Sequence, residues 1–124
     1  MQKRKPKLPL QKLSVVEILF GLFAYLPRKM FREENLYAFL ENTGDPRFRT
    51  RAIDNFSYSE MVHRSLAFFA MVGIIYEADS IQYIAPGMKK HMERELRQRN
   101  VLPRHAKTLR ALARSFADTQ NNAG

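Results

Sequence analysis

With 124 residues, 45% of them hydrophobic and 27% charged, the chain has the length and balance of one globular domain, which excludes a second full domain and a wholly disordered chain. It has no cysteine, so disulfides, thiol catalysis and cysteine-built zinc or iron–sulfur centres are excluded as well. The net charge of +9 is carried by the ends: residues 1–13 hold five bases and no acid, residues 14–87 hold nine acids against seven bases, and residues 88–124 hold nine bases against three acids. A near-neutral body with basic extensions suits a polyanionic partner, because charge of one sign attracts phosphates at long range without reading sequence.

Residues 1–13, with two prolines and five bases, read as a mobile basic arm. Ser14 and Glu17 then make an S-x-x-E capping box that opens a first helix. Val15, Val16, Ile18, Leu19, Leu22, Phe23 and Leu26 are apolar on more than one of its faces, so this helix is either central to the core or shared with another subunit. The apolar stretch Val15 to Leu26 is twelve residues long and contains Glu17. A bilayer span needs about 20, so no membrane span is expected, and no signal-type apolar region adjoins the basic start. A cytoplasmic location is therefore expected.

Pro27 ends the first helix, Arg28 to Phe31 read as a short extended segment, and Arg32 to Glu41 as a second helix with acids in its first turn. A loop of about a dozen residues follows, in which Arg47, Arg49 and Arg51 alternate with Phe48, Thr50 and Ala52, a sign of extended chain. Ser57 and Glu60 repeat the capping-box spacing before a third helix, which Gly73 closes. Residues 74–85 read as a β-hairpin, and a fourth helix runs from Met88 to about Asn100. A fifth spans Arg104 to about Asp118, with Leu109, Leu112, Ala113 and Phe116 inward and Lys107, Arg110 and Arg114 outward, before six loose polar residues.

The third helix ends with Leu66, Phe69, Gly73, Ile74 and Ile75, and the hairpin returns through Tyr83, Ile84, Ala85, Pro86 and Gly87. Over about residues 14–100 this order of helix, strand, helix, helix, hairpin and helix resembles the winged helix-turn-helix of regulators of the multiple-antibiotic-resistance (MarR) and PadR kinds. The likeness is at the level of the superfamily. The expected fold is therefore mainly α with a small β-hairpin: a basic flexible arm (1–13), a winged-helix domain (14–100), and a basic C-terminal helix and tail (101–124). The resemblance implies that the third helix enters a DNA major groove, with Tyr58 at its entry and Ser59, His63 and Arg64 facing outward to base edges. Arg47, Arg49 and Arg51 would then meet phosphates, and Lys3, Arg4, Lys5 and Lys7 would follow the backbone or minor groove. Three features depart from that pattern. The hairpin turn carries Glu77 and Asp79, which repel phosphates; the connection before the third helix is long; and Ala85 stands where a capping threonine is usual.

No catalytic constellation is present. His63, His91 and His105 are far apart in sequence, and no phosphate-cradling glycine loop, nucleophile elbow or H-E-x-x-H occurs. The expectation is a protein without enzymatic activity, cofactor or metal that binds double-stranded DNA, regulates transcription or replication in a prokaryote or mobile element, and is nucleoid-associated. The apolar surface on the first and fifth helices suggests a homodimer. The alternatives are a protein–protein adaptor on the same fold and, third, an RNA- or ribosome-binding protein.

Overall fold

In the computed structural model the described residues are 10–53 and 56–123, with side chains described except at 53, 56, 57 and 121–123. The capping box forms as the spacing requires: Ser14 Oγ accepts from the Glu17 amide at 3.1 Å and Glu17 Oε1 accepts from the Ser14 amide at 3.0 Å. From there α1 runs over Val15–Tyr25, and eight of its eleven residues are buried. It is the central element, packed against three later helices, α3 (Glu60–Met71), α4 (Met88–Gln98) and α5 (Ala106–Ala123). Of the two readings its sequence allowed, it takes the first. The residues before it belong to the same core, since Leu10 and Leu13 are buried and Leu10–Lys12 forms a single 3-10 turn.

Gly21 sets how closely the fifth helix approaches. A Cβ built there would lie 2.5 Å from Leu109 Cδ1 and 2.7 Å from Leu109 Cγ, and Leu109 is itself fully buried. Gly21→Val should therefore cost about 1–3 kcal/mol of overpacking, read as a lower urea midpoint. An unchanged midpoint would mean that the α1–α5 contact can slide apart freely.

After Leu26 and Pro27 the chain forms β1 (Met30–Phe31) and then α2 (Glu33–Glu41), whose first turn holds Glu33 and Glu34 where the helix dipole favours acids. Asp45 caps a 3-10 turn at Pro46–Phe48 that buries Phe48. The alternating segment is extended only in its second half: Arg47 and Phe48 belong to the 3-10 turn, while Arg51 and Ala52 lie in one arm of a second hairpin, in which β2 (Arg51–Ile53) pairs antiparallel with β3 (Phe56–Tyr58), Arg51 opposite Tyr58. Because this pairing keeps the chain extended through Tyr58, the helix starts two residues later than the Ser57–Glu60 spacing suggests, with Glu60 at its first position. Ser59 is the cap instead, its hydroxyl accepting from the Val62 amide at 3.5 Å, and α3 runs over Glu60–Met71.

Gly73, at φ +83°, turns the chain from α3 into β4 (Ile75–Ala78) and β5 (Ile81–Ile84), joined by Asp79 and Ser80, also at positive φ. β1 pairs with β5, so the sheet is three-stranded and antiparallel in the order β1–β5–β4. α4 spans Met88–Gln98 and α5 spans Ala106–Ala123. The last helix outruns the expected end at Asp118 and takes in most of the residues read as loose, since no Gly or Pro interrupts the chain before Gly124.

The architecture is thus mainly helical with a small three-stranded antiparallel sheet. Leu109, Leu112, Ala113 and Phe116 of α5 are buried within the chain, as is most of α1, so the apolar surface that suggested a homodimer is covered internally. Among the described residues no helix is long and apolar enough to cross a membrane.

Candidate nucleic-acid interface

The residues singled out from the sequence divide three ways. Lys3, Arg4, Lys5 and Lys7 lie outside the described residues. Arg51, Tyr58, His63 and Arg64 gather where β3 meets α3, with Arg49 exposed just before β2. Arg47 and Ser59 are used inside the fold.

Arg47 is a clamp. Its guanidinium pairs with Asp45 at 2.7 Å and donates to the carbonyls of Leu10, at 3.0 Å, and Leu13, fastening the segment before α1 to the 3-10 turn. The expectation that it stands beside Arg49 and Arg51 as a third phosphate contact is corrected: with its donors spent on these partners it is not free to follow a phosphate. The Arg47 hydrogen bond holds the Asp45 carboxyl below the usual range, burial opposing it. A folded-state value below the unfolded one, about 3.9, stabilises the protein above that pH and is lost as pH falls through the folded value. Asp45→Asn should accordingly flatten acid unfolding below about pH 4 and lower the neutral-pH urea midpoint. Retention of the wild-type acid profile would show that the pair does not couple to folding.

Ser59 is 1% exposed, occupied as the α3 cap, so the expectation that it faces bases is corrected too. The gathered set is a hydrogen-bonded cluster around aromatic rings. Tyr58 lies 5.9 Å from the Tyr37 ring and 5.0 Å from the His63 ring. Tyr37 donates its hydroxyl to Glu33 at 3.1 Å and sits 3.3 Å from His63 Nδ1. Burial, then the Glu33 charge, push the Tyr37 hydroxyl up, so it stays protonated. Arg64 is exposed but paired with Glu60 at 2.9 Å. Arg49 and Arg51 are exposed.

Around this cluster the outer surface of α3 and β4 is apolar: Met61, Phe68, Met71, Val72 and Tyr76 are all exposed, Met71 at 76%. Residues 74–85 carry Glu77 and Asp79 and no base. Phosphates gain little on such a face.

Most of the other exposed cations lie elsewhere. Lys89, Lys90, Arg94 and Arg97 are exposed on α4, and Lys107, Arg110 and Arg114 on α5, with Arg28 and Arg32 exposed at the corner between α1 and α2. Among the described residues only Arg47, Arg64 and Arg99 form side-chain ion pairs, so these nine are uncompensated at short range. Two adjoining cavities open on this side and share Arg114. One of about 500 Å³ is lined by Arg28, Arg32, Arg114 and Asp118, and the other, of about 420 Å³, by Tyr25, Lys29, Lys89, Arg110 and Arg114. Sequence reading found these bases as a sum over the C-terminal segment. It missed their convergence, because Arg28, Lys29 and Arg32 are more than fifty residues away in the chain and only the packing of α1 against α4 and α5 brings the groups together.

No protein-family model matches the chain, and no curated protein and no solved structure is significantly similar to it.

Proposed function

We propose that this chain is a winged-helix protein that binds double-stranded DNA mainly through backbone phosphates, on the side formed by α4, α5 and the α1–β1 corner, and that it serves transcription or replication control. The element order supports the winged-helix reading, with the short strand β1 joined to the returning strand of the hairpin and a helix on either side of that strand. The observation that carries the binding reading is the segregation of charge: unpaired Lys and Arg line two adjoining cavities on one side, while the α3–β4 side is apolar and acidic. Affinity would come from neutralising phosphates, and base discrimination would be modest.

The test is anisotropy of a labelled random-sequence duplex, titrated with the protein at several salt concentrations. Affinity should fall steeply with salt, by about 0.9 decade per decade for each phosphate neutralised. Absence of binding at low salt would sink the reading.

The exposed apolar residues of α3 and β4 favour a second reading, a protein-docking module. Their acidic flank, Glu60, Glu77 and Asp79, matches an apolar partner segment bordered by bases. The double substitution Phe68→Ser and Met71→Ser should abolish capture of such a partner and leave duplex affinity unchanged. A parallel loss of duplex affinity would place DNA on α3 after all.

A further inference from the structure

We propose that the cavity beside Tyr25 is a discrete site for one phosphate group, gripped by Lys89, Arg110 and Arg114; the identification of that group as a backbone phosphate rests on the DNA-binding reading above. The argument starts at the end of α1. A helix C-terminus exposes carbonyl oxygens and carries partial negative charge, which would repel an anion. Here that end is neutralised from within. Lys29 Nζ donates to the carbonyls of Leu26 at 2.8 Å, Ala24 at 3.0 Å and, more loosely, Phe23 at 3.4 Å, so all three of its donors are directed at the helix end. Lys29 is a positioning residue: it cancels the helix-end charge and leaves the other cations to face the cavity.

Those cations are crowded without a counter-charge in the lining. Arg110 Cζ lies 4.9 Å and Lys89 Nζ 5.9 Å from the centre of the same Tyr25 ring, and Arg114 follows Arg110 by one turn of α5. No carboxylate lines the cavity. Glu93 lies outside the lining; after burial, its charge helps push the Tyr25 proton affinity up. Burial and then the neighbouring Lys89 charge pull the Lys29 proton affinity down, with Glu93 opposing them in part. The like charges therefore feel one another, and an anion between them relieves the repulsion. Two guanidinium forks and an ammonium suit tetrahedral phosphate oxygens, and the cavity of about 420 Å³ admits the group with its ester substituents.

The experiment titrates the full chain with inorganic phosphate, followed by amide NMR shifts and calorimetry, against sodium chloride at matched ionic strength. A saturable one-to-one site is expected, with shifts centred on Tyr25, Lys29, Lys89, Arg110 and Arg114. Arg110→Gln and Lys89→Gln should each weaken it by tenfold or more, while Arg94→Gln, an exposed α4 cation outside the lining, should leave it unchanged. Shifts that rise without saturation and match those from chloride would overturn the site, as would full binding in Arg110→Gln. A second arm adds labelled duplex. Displacement by phosphate beyond that by chloride, lost in Arg110→Gln, identifies the occupant as a backbone phosphate. Saturable phosphate binding without any duplex binding would instead overturn the DNA reading and leave the cavity as a site for a free phosphate compound. Duplex binding indifferent to phosphate would overturn the backbone assignment.

Discussion

Phe23→Ala is expected to remove about 3–5 kcal/mol from a domain whose whole stability is of the order of 5–15 kcal/mol, so the variant should sit close to unfolding at ambient temperature. The magnitude follows from where the ring lies. Phe23 is fully buried in the central helix, stacked on Phe31 of β1 at 4.8 Å and edge-on to Phe69 of α3 at 6.0 Å. Phe31 in turn meets Phe116 of α5 at 6.3 Å, and Phe20 stacks on Phe69 at 5.1 Å. One ring thus ties α1 to the sheet and to α3, and through Phe31 to α5. Urea unfolding should show a lower midpoint at an unchanged slope. Phe68→Ala is the matched control, since Phe68 is 48% exposed on the same helix as Phe69 and its loss should cost well under half as much. Equal losses would mean that α3 packs through both faces and that its apolar outer surface is not free.

The same aromatic network explains what the sequence did and did not reveal. Elements whose cause is local were legible: the Ser14–Glu17 box, Pro27 after α1, Gly73 at positive φ and the hairpin at residues 74–85 all depend on residues a few positions apart. Misreadings arose where tertiary pairing decides between local options. Ser57 and Ser59 are both possible caps; cross-strand pairing through Tyr58 selects Ser59, and selecting it turns a supposed base-reading side chain inward. Arg47 reads from sequence as one of three alternating arginines. Its role depends on Leu10 and Leu13, more than thirty residues earlier, which no spacing rule links to it. The apolar surface from which a dimer was expected is likewise taken up within the chain, because helices one and five cover each other through the Gly21–Leu109 contact. The charge distribution was legible as a sum, but the convergence of Lys29, Lys89, Arg110 and Arg114 around Tyr25 was not.

That convergence sets up the largest expected effect on binding. Replacing Lys89, Arg110 and Arg114 together by glutamine should lower duplex affinity by roughly 10²–10³ at about 0.1 M salt and reduce the salt slope by about 2.7, if each cation neutralises one phosphate. Each phosphate contact contributes about 0.9 decade of affinity per decade of salt below the molar reference, so three contacts account for the loss. The comparison variant replaces Arg49, Arg51 and Arg64. It removes the same formal charge, so a protein that attracts DNA only through its total field would respond equally to both. Local contact separates them: Arg64 is already paired with Glu60, the neighbouring hairpin carries Glu77 and Asp79, and Glu77 is itself held by Gln82 at 2.8 Å. Charges on that side are screened from a duplex bound along α5 once they lie more than a Debye length of about 8–10 Å away, so this variant should lose less than tenfold and keep nearly the full slope. All six cations are exposed, so neither variant should change the unfolding free energy from urea titration by more than about 0.5 kcal/mol per site, which keeps the binding readout separate from folding. A larger loss in the Arg49, Arg51 and Arg64 variant would return DNA to α3 and the β2–β3 hairpin, and equal losses would mean that binding has no preferred side.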